Sequence, residues 1–590
     1  MRTCLFIVYL ISIMSVVDSG WIDPDTSSKY KSTKSHTVGD DREYALVFSD
    51  EFEQEGRTFR DGDDPRWTAL DKNDYTNDAL HYYSTDNAYT TGGILNITTE
   101  MKTESFKALN ETTREYFAEK KHYKSAMLQG WNKFCITGGI VEVRAKLPGN
   151  AYTGGLWPAI WLLGNLARAT FVGSSDYMWP WSYDQCTDEH RFSQEINACS
   201  KVNHYDMAAR TGRGAPEIDI LEAMGGPVGP LPHTTIERPY FSASFQVAPG
   251  IDENRPLVGR QPANGTWYTG MEYGSVTNSS LNNFFYGVTL VHEPSSYTYQ
   301  SDALSANMHI NHSHYDEFHI YRVEWEPSDE KGNGGHIKWF ADNELVYGIG
   351  ADVLKKTSAL IPNEPMYMIL NTAISDSWGF PIPCPDGCSC KCYECGNPDC
   401  ECALPSNFCN NLPAYFEVDY VRVYQAVDNP NHVLGCSTKE RPTSTFIEGH
   451  KERYKIKGRS EPLLPVKDGA GICSTDADCG GEGKGSCSDV FTCTCKTNFT
   501  GPYCLAHDAF YDNPYIPETA PFEVMRMILP NPLFKVFLIL AGAFVLVVWF
   551  NARNSRKSLG YTAVGETEDV LLSDLKNSGV LPFPQLKSHP

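Results

Sequence analysis

Between Glu43 and Gln425 the sequence keeps one texture: short aromatic and β-branched runs separated by turn residues, with long amphipathic helical patterns scarce. The runs include "ALVFSDEF", "GIVEVRAKL", "HIYRVEWEP", "HIKWFADNELVYGI" and "FEVDYVRVYQ". Such side chains suit a pleated, half-buried surface, and regular turn signals between them predict an all-β sandwich or barrel. "ADNEL" places Asp342 and Asn343 at a hairpin turn between two of these strands. One stretch fits poorly. "GAPEIDILEAMGG", residues 214–226, sets Glu217, Asp219 and Glu222 among large apolar residues, where unpaired acids are costly. Three like charges cannot neutralise one another, so chemistry explains them better than architecture; a solvated acidic sheet face is the alternative.

Parity sharpens the problem. Side chains alternate along a strand, so Glu217 and Asp219 share a face while Glu222, five residues on, should point away. A β-bulge at Ile220–Leu221 inserts one residue and returns Glu222 to the face of the other two. The glutamate Cα atoms would then lie roughly 13 Å apart. Side chains leaning together over a curved sheet could approach the ~5 Å carboxyl spacing of a retaining glycosidase.

The chain ends and the cysteines set the compartment. "MRTCLFIVYLISIMSVVDSG", residues 1–20, reads as a cleaved signal peptide, an uncleaved anchor being the alternative. From Leu533 to Phe550 only Lys535 interrupts an apolar run, and Arg553, Arg556 and Lys557 follow, which predicts one transmembrane helix over 531–552 and a cytosolic tail, 553–590. The expected molecule is a type I single-pass protein of the secretory pathway and plasma membrane, held in the lipid bilayer by that C-terminal helix, its main domain lumenal or extracellular. Removing Cys4 with the signal leaves 18 of the 19 cysteines, an even set suited to disulfides in an oxidising compartment. N-glycosylation sequons stand at Asn96, Asn110, Asn264, Asn278, Asn311 and Asn498. A net charge of -23 argues against nucleic acid as a partner.

Residues 21–42 are polar and read as a loose lead-in, 43–427 as the sandwich, and the proline-rich and charged 428–470 as a linker. Eight cysteines fall between 384 and 409. In the cytosol such a cluster would suggest zinc, but outside it disulfides are favoured, giving a stapled loop after Trp378 at the rim of a cleft. Residues 471–505 carry six more cysteines, ending "CTCKTNFTGPYC". That spacing resembles an EGF-like module, and the resemblance implies the pairs Cys473–Cys487, Cys479–Cys493 and Cys495–Cys504.

The acidic stretch resembles the E-x-D-x-x-E signature of glycoside hydrolase family 16, a β-jelly-roll family. The resemblance implies Glu217 as nucleophile, Glu222 as general acid/base, and Asp219 as a hydrogen-bonding partner of the nucleophile. Neighbouring segments agree: "GLWPAIWLLG", "DEFHIYRVEWEP" and "MILNTAISDSWGF" resemble further cleft strands of the family. They offer Trp157, Trp161, His319, Asn371 and Trp378 as sugar contacts. Core packing is the competing reading for each tryptophan, and a structural role for His319. The segment running from "NLARATFVG" into the acids, with "SASFQVAP", is similar to the β-glucan synthesis-associated proteins of fungal cell walls. The expected function is a retaining hydrolase or transglycosylase on β-1,3- or β-1,6-glucan, needing no metal or cofactor. A non-catalytic glucan-binding, adhesion or synthesis-scaffold protein is the alternative.

Overall fold

A computed structural model describes residues 20–109, 116–175, 178–179, 196–197, 212–230, 237–246, 272–274, 279–282, 290–293, 296–298, 303–329, 331–356, 360–381 and 384–508. The expected transmembrane helix and tail, the signal peptide up to Ser19, and the sequons Asn110, Asn264 and Asn278 lie outside these residues. Among the described residues no helix is long and apolar enough to cross a membrane.

Two large sheets, one of 13 and one of 10 strands among the described residues, pack face to face as a sandwich. The smaller carries the three acids. Its strands include β1 (Met127–Gln129), β2 (Trp157–Gly164), β3 (Glu217–Pro230), β4 (Glu237–Gln246), β5 (Ser279–Leu281), β6 (Ala303–His309) and β7 (Met366–Ala373). They lie in the spatial order β5-β6-β4-β3-β2-β7-β1, each antiparallel to its neighbour. The larger sheet is built from the runs that announced the fold, among them Glu43–Asp50, Gly139–Lys146, His319–Glu326, His336–Ala341, Glu344–Gly350 and Ala414–Ala426. Asp342 and Asn343 turn the predicted hairpin with φ of 47° and 72°. Asn and Asp tolerate that left-handed backbone better than other residues with a side chain.

Alternation sorts each strand into a core side and an outer side. Ile160 and Leu162, Ile218, Phe241 and Phe245, and Leu304 meet Val141, Val323, Trp339, Phe416 and Val423 of the other sheet in one apolar core. Their polar neighbours along the strands therefore face out of the sandwich. Burial of this apolar area is the main stabilising contribution.

Three expectations about the organisation are corrected. Residues 21–42 are not a loose lead-in: Trp21 is 4% exposed, Ser32–Lys34 pairs with Glu43–Ala45, and the buried Glu324 carboxylate accepts from Ser35, Thr37 and the His36 amide. Residues 428–470 are not a linker but a strap across the sandwich. Phe446, Ile447 and Tyr454 are buried, Cys436 is disulfide-bonded to Cys135, and Arg168 donates to the carbonyls of Tyr454 and Pro462 at 2.6 and 2.8 Å. Asn96 is 5% exposed on a strand of the larger sheet with its amide nitrogen enclosed, which leaves a glycan no room there. Asn311 and Asn498 are exposed.

The described cysteines pair as disulfides. In the insertion the bonds are Cys384–Cys390, Cys388–Cys402, Cys392–Cys400 and Cys395–Cys409. Its Phe408 packs with Phe380 and Leu156. A Cβ on Gly155 would come within 2.6 Å of Phe408, so only glycine allows the loop this close to the start of β2. In the C-terminal module the bonds are Cys473–Cys487, Cys479–Cys493 and Cys495–Cys504, the pairing that the EGF-like resemblance implies. The residues flanking the module fasten it to the sandwich: Arg66 Nη1 donates to the His507 carbonyl at 2.6 Å and the Lys467 amide to that of Gly62 at 2.8 Å.

Candidate active site

The bulge lies where parity demands it. Across β2, Leu163 faces Glu217 and Trp161 faces Asp219, but Ile160 faces Leu221 and Ala159 faces Glu222, so Ile220 is the extra residue. On the other side Asp219 faces Ser244 and Glu222 faces Ser242, the same slip. Ile218, Ile220, Leu221 and Ala223 all enter the core, and the three acids share the outer face. A bulge disrupts the ladder and leaves backbone groups needing other partners. The Asp219 carbonyl finds one across the sandwich, accepting from the Trp339 indole N–H at 2.8 Å. That bond ties the kink to the opposite sheet.

Indole N–H groups also reach the acids themselves. Trp179 donates to Glu217 Oε2, and Trp157 donates to Glu222 Oε1 at 3.1 Å. Gln246 donates to Asp219 Oδ2 at 3.1 Å. Trp157 stacks on Trp378 with ring centroids 4.5 Å apart, leaving one face of each ring uncovered by the other. Trp161 donates to Asn371 Oδ1 at 2.7 Å, and Asn371 donates to the Tyr83 hydroxyl at 3.3 Å. Trp157, Trp161, Asn371 and Trp378 are thus brought together on or beside the acid-bearing face. His319 is not. It sits in the larger sheet, where its Nδ1 meets Asp342 at 2.6 Å and its ring stacks on His314, a structural role. Trp179, Gln246 and Tyr83 were not singled out by the sequence: each lies where periodicity carries no signal about the acids.

Beyond Glu217 the same face is walled. Leu163, Tyr367 and Ile369 are covered by a second apolar cluster containing Phe171, Trp131 and the strap residues Phe446, Ile447 and Tyr454, with Trp161 at its edge. Arg213, just before β3, forms a two-pronged ion pair with Glu364 at 2.8 and 2.6 Å and donates to the Pro442 carbonyl of the strap. The strap therefore holds both the wall and the approach to the acid-bearing strand.

Burial and mutual repulsion make the acids hard to ionise together. Glu217 is pushed up to about 7, first by burial and then by the Glu222 charge, against the hydrogen bonds from Asp219 and Trp179. Asp219 is raised well above the usual range by burial and by Glu217. Glu222 is raised well above it too, by burial and by Asp219, although its side chain keeps partial exposure. The hydrogen bond between them lowers Glu217 and raises Asp219, so the proton of that pair rests on Asp219. Glu222, raised by burial and by Asp219, favours the protonated form that a general acid needs.

Residues 3–382 match the family described as beta-glucan synthesis-associated protein SKN1/KRE6/Sbg1. The beta-glucan synthesis-associated protein KRE6 of Saccharomyces cerevisiae is 29% identical over 75% of this chain and 54% of its own length. That of Candida albicans is 30% identical over 76% of this chain and 54% of its own length. The chain thus spans about half the length of the curated relatives it matches. Among solved structures, the catalytic domain of an endo-1,3-beta-glucanase (laminarinase) from Thermotoga petrophila is similar, with TM-score 0.36, 19% identity, and coverage of 66% of this chain and all of that one. The family match covers well over half of the sequence and contains all three acids, so the chain belongs to the SKN1/KRE6/Sbg1 family of beta-glucan synthesis-associated proteins.

Proposed function

We propose that this protein is a retaining glycosidase or transglycosylase acting on β-glucan at the cell surface or in the secretory pathway. The observation that carries the reading is the bulged strand β3, which sets Glu217, Asp219 and Glu222 on one face with a different donor on each carboxyl. Glu217 attacks the anomeric carbon while Glu222 protonates the departing oxygen. Glu222 then deprotonates the water or sugar hydroxyl that resolves the glycosyl–Glu217 ester. Asp219 hydrogen-bonds Glu217 and keeps the trio from ionising together. Trp157, Trp161 and Trp378 offer ring faces to the sugars, with Asn371 holding Trp161. A β-glucan is the substrate class, in keeping with the family's association with β-glucan synthesis, and the β-1,3 and β-1,6 linkages are the ones to test. Residues 531–552 anchor the protein in the bilayer, and Asn311 and Asn498 are its described glycan sites.

The test is turnover. Purified full-length protein is incubated with defined β-1,3- and β-1,6-gluco-oligosaccharides, and the products are resolved by chain length, with Glu217→Gln as control. Turnover by the wild type and its loss in the variant support the reading. No turnover by the wild type, with glucan binding intact in both proteins, makes the protein a binder instead.

A further inference from the structure

The face that carries the acids continues across β4 and β6. Glu222 lies opposite Ser242, Ser242 opposite Asn307, and Asn307 opposite Ser280. Directly paired residues share a face, so these four side chains form one row at right angles to the strands. The core confirms the facing, because Phe241, Ala243, Leu304 and Ala306 between them point inward. With neighbouring strands about 4.8 Å apart, Asn307 lies roughly 10 Å from Glu222 along the row.

The two sides of Glu222 differ in how their polar atoms are satisfied. Towards β7, the Asn371 amide is fully engaged with Trp161 and Tyr83. One step along the strands, Asp219 is served by Gln246, and Ser244 is bonded to Ser305, which also accepts from Asn282. In the Ser242–Asn307 row no such closure exists. Ser242 is 0% and Asn307 2% exposed, yet Ser242 Oγ and both Asn307 Oδ1 and Nδ2 have no hydrogen-bond partner among the described residues. Buried polar atoms are seldom left so; a hydroxyl, an amide oxygen and an amide nitrogen in a row need a partner that both donates and accepts. A sugar ring bearing hydroxyls does both.

We propose that Ser242 and Asn307 form the binding site for the acceptor sugar, the glucosyl unit that leaves with the Glu222 proton and that can return as nucleophile. The assignment rests on the retaining reading above, in which Glu222 serves the leaving and entering oxygen. It makes the site one for transfer as well as hydrolysis. An acceptor hydroxyl held there attacks C1 of the glycosyl–Glu217 ester, the C1–O bond to Glu217 breaks, and Glu222 takes the hydroxyl proton. Glu217 returns as the free carboxylate.

The experiment compares wild type with Asn307→Ala and Ser242→Ala, the second removing one oxygen inside a strand. Each is assayed on a β-gluco-oligosaccharide that the wild type turns over and on a nitrophenyl β-gluco-oligosaccharide, whose leaving group is not a sugar. Loss of one or two hydrogen bonds predicts about a tenfold fall in kcat/KM on the oligosaccharide and a higher ratio of hydrolysis to transfer, with release of nitrophenol unchanged. Equal effects on both substrates, or none on either, overturn the acceptor site while leaving the enzyme reading intact. If the wild type turns over neither substrate, calorimetric binding of the oligosaccharide decides. An unchanged Kd in both variants then means that the row holds ordered water only, and a Kd weakened about tenfold keeps the sugar site without the catalysis.

Discussion

Trp339→Phe tests whether the opposite sheet holds the acids in place. Trp339 is buried, stacks on Tyr347 at 4.3 Å, and its N–H is the partner of the bulge carbonyl at Asp219. Phenylalanine keeps an aromatic ring but removes that donor, leaving a buried carbonyl unpaired at a cost of about 1–3 kcal/mol. The smaller ring also gives up apolar burial, a further ~1–2 kcal/mol. The sum, about 3 kcal/mol, is read by denaturant unfolding. Trp325→Phe is the matched control: Trp325 is equally buried in the same sheet, and its N–H donates to the Pro362 carbonyl at 2.9 Å, away from the acids. Both variants should lose stability by similar amounts. Only Trp339→Phe should also lower kcat, by up to about a hundredfold if the bulge relaxes by an ångström, with KM little changed. Equal kcat in the two variants refutes the claim that this bond positions the acids. A destabilisation below about 1 kcal/mol refutes the accounting of the carbonyl.

Other perturbations read other parts of the site. Glu217 ionises near pH 7 in the folded chain against an ordinary 4.5. Its contribution to stability is therefore fully present below about pH 4.5 and is lost as pH rises through 7, and Glu217→Gln should remove an ionisation cost of about 3 kcal/mol above pH 7. Unfolding followed at pH 4 and pH 8 checks this, and an equal effect at both pH values contradicts it. Asp219→Ala removes the hydrogen bond that lowers Glu217, so the acidic limb of the kcat/KM profile should move to higher pH; an unmoved limb argues against Asp219 as the partner of the nucleophile. Tyr454→Ala should cost about 3–5 kcal/mol, because the ring is fully buried on Trp131 and its hydroxyl donates to the Leu166 carbonyl. A change within ~0.5 kcal/mol would return residues 428–470 to the status of a linker.

The sequence revealed most where a local rule was broken or a local signal repeated. The bulge at Ile220–Leu221 was readable because three acids and their spacing contradicted strand parity, and a single inserted residue resolves it. The 342–343 turn and the three disulfides of the C-terminal module depend on neighbours in sequence, so they too were legible. What escaped was set by distant partners. The strap carries only a few apolar anchors among prolines and charges, and its tether joins Cys436 to a cysteine 301 residues away. His319 has the pattern of a cleft strand, but alternation within one strand says nothing about which sheet of the sandwich receives it. Likewise, no local signal sends the Trp339 indole to the Asp219 carbonyl; only the stacking of two sheets brings them together.

The most direct test of the account is mass-spectrometric mapping of a trapped glycosyl-enzyme, formed with an activated 2-deoxy-2-fluoro β-glucoside or its β-glucan oligomer. The bulged strand predicts one sugar ester on the peptide containing residues 217–222, carried by the Glu217 carboxylate and absent from Glu217→Gln. An ester on Glu222, on any other residue, or on none while natural substrate is still turned over, would contradict the assignment of Glu217 as the nucleophile.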